Sequence, residues 1–204
     1  MSKINSLIAE RMTLIKPSPT MAITKLAAEM KAAGKDVIGL GAGEPDFDTP
    51  DHIKNAAITA IKNGETKYTA VDGTPALKKA IVNKFSKDNN IEYNMDEIIV
   101  SVGGKQVLYN ALMSSINPGD EVIIPSPYWV SYPDMVALAG GIPIIVEGKE
   151  SNNFKVIPDD IKNKISDKTK WIIINSPSNH TGSSYTKSEL EDLGNLLLNH
   201  ENIF

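Results

Sequence analysis

The sequence contains no cysteine, and that absence removes disulfides, thiolate catalysis and zinc–thiolate centres from consideration. It also lacks a long apolar run; nothing approaches the roughly 18 consecutive apolar residues that a membrane-spanning helix needs. The N-terminal stretch MSKINSLIAERMTLIKPSP is broken by Glu10 and Arg11 and makes a poor signal peptide. No basic block is present either. Lys plus Arg total 21 against 25 Asp plus Glu, a net charge of −4, which argues against phosphate-neutralising nucleic-acid binding. Internal repeats and low-complexity tracts are missing too. The simplest expectation is a cytoplasmic chain with neither nucleic acid nor membrane as partner. What is present, 204 residues of which 41% are hydrophobic and 23% charged, suffices for one domain with a real core or a piece of a larger one.

Punctuation residues divide the chain into alternating elements. Met21–Ala33 reads as a helix stopped by Gly34, and Val37–Leu40 as a short strand. The loop GAGEPDFDTP follows, long enough to suggest function. Thr49 with Pro50, and Thr74 with Pro75, carry the cap-then-proline signature of helices ending near Gly64 and Lys87. Then come a strand EIIVS, a helix Lys105–Ser115, a turn NPGD and a strand EVIIP. A helix Ser131–Ala139, a strand IPIIV, a short helix Pro158–Ile165 and a strand WIIIN follow. Thr186 with Glu189 forms a capping box for a helix to about Asn199. Such alternation predicts an α/β fold, a mostly parallel sheet with helices on both faces. Asn202, Ile203 and Phe204 look like the start of another strand, so the chain is expected to be the front part of a longer design.

Three strand-end loops carry candidate chemistry, since α/β proteins place ligands there. In SVGGKQ, residues 101–106, two glycines permit close backbone approach and the following helix N-terminus offers N–H groups to an anion; a tight strand-to-helix turn would explain the same residues. A Walker A loop is excluded because Ile99 and Gln106 stand where Gly and Ser or Thr are required. GLGAGE does not complete a dinucleotide fingerprint, because Glu44 replaces its last glycine. Trp129 in SPYWVSY follows a strand and could stack on a flat cofactor, with core packing as the plainer reading. Asn179, in KWIIINSPSNHTG, offers an amide at a third strand end. Cradle, plate and amide together suit a planar, phosphorylated cofactor. His52 and His200 have no partner spacing and form no metal site with His180.

These residues carry a family resemblance. GAGEPDFDTP, KYTAVDGTP, VGGKQ, SPYWVSYPDM and INSPSN.TG resemble, in order, the motifs of the class I aminotransferases, fold-type I enzymes dependent on pyridoxal 5'-phosphate. The likeness is strongest to the bacterial aspartate aminotransferases that also act on prephenate or arogenate, and it spans essentially the whole chain. It implies an N-terminal arm and small-domain segment over residues 1–45 and the front part of the large cofactor-binding domain over 46–204. It implies that Gly103, Gly104 and Lys105 form the phosphate loop and that Trp129 stacks on the pyridine ring. Asn179 then bonds the ring oxygen, and both Trp129 and Asn179 border the substrate. Gly43 matches a main-chain position near the substrate carboxylate, and Lys16 a lysine that helps accept a second acidic substrate. Tyr68 resembles the tyrosine that reaches the neighbouring subunit's cofactor phosphate, which implies a homodimer. The activity implied moves an amino group between L-aspartate and 2-oxoglutarate, with the cofactor as electron sink.

Two departures accompany the likeness. The family's cofactor-linking lysine and its arginine for the substrate carboxylate match nothing up to Phe204, so no catalytic residue is assigned within this chain. A non-catalytic remnant and another fold-type I enzyme are therefore the alternatives. Second, His180 stands where the family has a proline after a bond that is usually cis. A cis bond costs about 0.5–1 kcal/mol before proline and about 2.5–4 before other residues. Either roughly 2–3 kcal/mol of strain is added, or the loop turns trans and Asn179 moves. His180 reads as damage rather than as a gained acid or base.

Overall fold

The structure of the protein, a computed structural model, describes residues 7–41 and 43–204. The chain divides into two units, Pro19–Val107 and Met1–Ser18 with Leu108–Phe204.

The first unit is helical. It holds α1 (Pro19–Ala32), α2 (Asp51–Lys62), α3 (Pro75–Asn89) and the opening of α4 (Gly103–Ser115). Thr74 Oγ1 accepts the Leu77 N–H at 3.3 Å and Pro75 follows it, so the expected cap is formed. At α2 the expectation shifts by one residue. Pro50, not Thr49, stands at the cap, and its carbonyl accepts from Ile53 and Lys54 at 3.0 and 3.2 Å. Two expected strands, Val37–Leu40 and Glu97–Ser101, do not form. Ile38 and Leu40 are exposed, and Met95–Glu97 instead makes a 3-10 turn. The Val100 N–H bonds the Asp72 carbonyl, in a loop, at 3.0 Å. A strand exists only with a neighbour to pair with, and neither segment has a ladder partner among the described residues.

The second unit is built on a three-stranded parallel sheet of order β2-β1-β3. Its strands are β1 (Glu121–Ser126), β2 (Ile142–Glu147) and β3 (Thr169–Ile172). Between and after them lie α5 (Ser131–Leu138), α6 (Pro158–Lys162) and α7 (Lys187–Leu197). The continuous apolar run of β1 suits a central strand covered on both faces. Val122 and Ile124 face one way, packing with Leu112 and Ile116 and with Tyr132, Met135 and Val136 of α5. Ile123 faces the other way with Val146, Val156, Ile161, Ile172 and Leu193. Burying side chains of this size stabilises by about 1.5–3 kcal/mol each. The expected α/β architecture, a parallel sheet with helices on both faces, is therefore present.

Local chemistry closes the connections. Asp120 Oδ2 accepts the Asn117 N–H at 2.8 Å in the NPGD turn. Gly148 is a close approach: a Cβ there would collide with the Phe154 carbonyl oxygen. Thr186 and Glu189 form the expected capping box of α7. Phe204 lies alongside β3 in the parallel manner, donating to the Lys170 carbonyl at 3.0 Å and accepting from Ile172 at 2.9 Å. Glu10–Leu14 forms a 3-10 turn that packs on α5. Among the described residues no helix is long and apolar enough to cross a membrane.

Candidate functional site

The β1 strand ends at Ser126 and delivers a loop in which Trp129 stands before the start of α5, with Val130 between them. The Tyr132 N–H donates to the Trp129 carbonyl at 2.9 Å, which opens that helix. The two rings meet edge to face, with centroids 5.5 Å apart and planes at 89°. Tyr132 is buried in the core beneath, so the plane of Trp129 is set from below. Burial also pushes the Tyr132 phenol above its ordinary pKa, keeping it neutral around pH 7.

The run after β3 ends in the loop that carries Asn179. The Asn179 N–H donates to Asn175 Oδ1 at 2.8 Å, and the Ser178 N–H to the Ser183 carbonyl at 2.9 Å. Trp129 and Asn179 thereby come to line one open cleft with Tyr132, Asn175 and Pro177. Sequence reading singled out Trp129 and Asn179 but missed their three companions. A signal was available for two of them. Tyr132 follows Trp129 by three positions at a helix start, and Asn175 precedes Asn179 by four across a turn.

The other expected site residues are not among those that line this cleft. Gly103, Gly104 and Lys105 open α4 in the helical unit. Gly103 has φ 76°, a left-handed conformation that favours glycine, and apart from chain neighbours and the helix's own backbone no atom would lie within 4 Å of a Cβ at Gly103 or Gly104. Gln106 Oε1 reaches back to accept the Val102 N–H at 3.0 Å. Tyr68 is fully exposed and Gly43 adopts φ 63°, both in the helical unit. Lys16 is exposed in the sheet unit and does not line the cleft. The cis peptide bonds among the described residues precede Pro127 and Pro177, so the Asn179–His180 bond is trans. Of the two courses open to this loop the trans one is taken, and Asn179 nonetheless lines the cleft with Trp129. His180 is exposed, its N–H 3.4 Å from Ser178 Oγ. Among the described residues no group of three or more His, Asp or Glu could hold a metal.

The sequence profile described as "Aminotransferase class I and II" matches residues 35–204. The chain belongs to this family. It is 60% identical over 198 residues to a "Probable aspartate/prephenate aminotransferase" of Rickettsia typhi, covering 97% of this chain and 50% of that protein. An "Aspartate/prephenate aminotransferase" of Cereibacter sphaeroides is 55% identical over 197 residues, covering 97% and 49%. Among solved structures, the aspartate aminotransferase from Rhizobium meliloti superposes with a TM-score of 0.92 at 48% identity, covering 97% of this chain and 49% of that one. The Thermus thermophilus aspartate aminotransferase, solved with maleate, gives 0.92 at 44% identity, covering 95% and 51%. The chain spans about half the length of the aminotransferases it matches.

Proposed function

We propose that this chain supplies the cofactor-holding half of a pyridoxal 5'-phosphate-dependent aminotransferase acting between L-aspartate, or a related amino acid, and 2-oxoglutarate. The observation that carries the reading is the meeting of Trp129 and Asn179 in one cleft, from loops that follow two different strands of the parallel sheet. A flat indole beside an amide suits a planar ring with a polar oxygen. The open backbone at Gly103 and Gly104, at a helix N-terminus, suits its phosphate.

Each residue then has a defined task. Trp129 stacks on the ring and excludes water from one face. Asn179 donates to the ring oxygen and favours its anionic form. The first turn of α4, with Lys105, takes the phosphate. Gly43 leaves room for the substrate carboxylate, and Lys16 adds positive charge for an acidic substrate. Tyr68 reaches the cofactor phosphate of a second subunit, making the enzyme a homodimer with shared sites. When bound, the cofactor serves as the electron sink for charge developing on the amino acid's α-carbon. The proton transfer at that carbon is assigned to no residue among these 204. The maleate carried by the Thermus structure, a dicarboxylate, and the aspartate/prephenate names of the relatives support an acidic amino donor.

The test joins this chain to the half of the Rickettsia typhi relative that it does not match. Transamination between aspartate and 2-oxoglutarate supports the proposal. A folded fusion that binds the cofactor and turns over neither acid would assign the chain to another reaction or to none.

A further inference from the structure

The loop that carries Asn179 is tied to itself at both ends. Ser176 Oγ accepts the Tyr185 N–H at 3.0 Å, so where Tyr185 sits decides where the intervening residues lie. Tyr185 is in turn fixed from outside the loop. Its phenol oxygen accepts the Val156 N–H at 2.9 Å, and its ring lies 5.7 Å from Lys155 Nζ. The next residue, Thr186, caps α7 with its Oγ1, which accepts the Glu189 N–H at 3.3 Å, and it donates its own N–H to Glu189 Oε2 at 2.7 Å. The other oxygen of Glu189 receives Lys155 Nζ at 2.5 Å, across 34 positions of sequence. The Lys155 side chain is only 12% exposed and that of Glu189 34%, so this pair is shielded from solvent far more than an ordinary surface pair. Lys155 and Tyr185 also border a second cavity, whose walls include Tyr132 and Asn175 of the cleft.

We infer that Lys155 and Glu189, acting through Tyr185, are positioning residues that latch the exit of the Asn175–Tyr185 loop and so hold Asn179 at the cleft. The inference rests on the reading of Asn179 as a cofactor-facing amide, because only then does its placement affect binding. The structural logic is that an isolated loop of this length has many conformations, and a charge-assisted bond to a distant segment removes most of them. Glu189→Gln is the informative change. A glutamine can still accept the Thr186 N–H, so the helix cap survives while the ion pair is lost.

Amide hydrogen exchange of the 15N-labelled chain tests this without any ligand. Glu189→Gln and Lys155→Met should each speed exchange at Asn179 by about tenfold, while Ile123 and Val136 in the core stay within about twofold. The double variant should loosen Asn179 no further than either single one. An unchanged Asn179 in a folded variant, additive effects, or equal loosening of the core would overturn the inference. Should the Met or Gln variants not fold, Lys155→Arg decides. It keeps the charge and must leave Asn179 protected, and a loosened Asn179 there rejects the latch. Because no ligand takes part, failure here leaves the cofactor reading intact. A failure of pyridoxamine phosphate to perturb the wild-type cleft would sink that reading and leave the latch in place.

Discussion

The two asparagines of the cleft are joined by one hydrogen bond: Asn175 Oδ1 accepts the backbone N–H of Asn179 at 2.8 Å. One asparagine thus spends its side-chain oxygen on fixing the backbone of the other. Asn175→Ala leaves that N–H without its partner and should cost about 1 kcal/mol of stability. Asn175→Asp keeps the acceptor and should cost less. Thermal melts of the two variants check this order, and an alanine variant as stable as the aspartate one would contradict it.

Gly104→Ala separates stability from binding. Apart from chain neighbours and the helix's own backbone nothing would lie within 4 Å of the added Cβ, and Gly104 has no left-handed φ to relieve. Alanine in the helix should therefore stabilise by about 0.5 kcal/mol. The same methyl screens first-turn N–H groups from an anion, so affinity for pyridoxamine phosphate should fall about fivefold. A change of both quantities in the same direction would mean that this helix end does not face the phosphate.

Acid should find Glu189. The hydrogen bond from Lys155, and then that from the Thr186 N–H, hold its carboxyl well below the ordinary range, at about 2. Lys155, Glu189 and Asp160 are the charged groups that act on the neighbouring Tyr185 phenol. Because the folded pKa lies below the unfolded value near 4.5, the fold favours the carboxylate. That contribution is fully present above the unfolded value, shrinks as pH drops and is gone once pH passes below about 2. The gap in melting temperature between wild type and Glu189→Gln should accordingly be constant from pH 7 to 5 and narrow below. A gap that widens toward acid would refute the assignment.

How much of this was legible in the sequence depends on the distance over which each feature is decided. The caps at Thr74 and at Thr186 with Glu189 are local, and both stand where side-chain chemistry puts them. The central strand was legible because Val122–Ile124 is apolar on both faces, which only a covered position tolerates. Val37–Leu40 and Glu97–Ser101 have the same composition without a ladder. Apolar side chains report a preference for burial and carry no record of which strand will pair with them. The cleft was half legible. Trp129 and Asn179 stand out as strand-end residues, whereas Tyr132 reads as helix core and Asn175 as the tail of a strand. Neither the edge-to-face packing of Tyr132 nor the Asn175–Asn179 bond is visible until the loops are folded.

The claim that Trp129 and Asn179 hold the cofactor ring is tested most directly by titrating the 15N-labelled chain with pyridoxamine 5'-phosphate, which has no aldehyde to react with surface lysines. The chain contains its own control, since the only other tryptophan, Trp171, donates its indole N–H to Ser115 Oγ at 2.9 Å, away from the cleft lining. The expected result is a saturable shift of the Trp129 indole and Asn179 side-chain amide signals, together with the Gly103 and Gly104 amides, while the Trp171 indole stays in place. Shifts at Trp171 or scattered over the surface, with Trp129 and Asn179 unmoved, would contradict it.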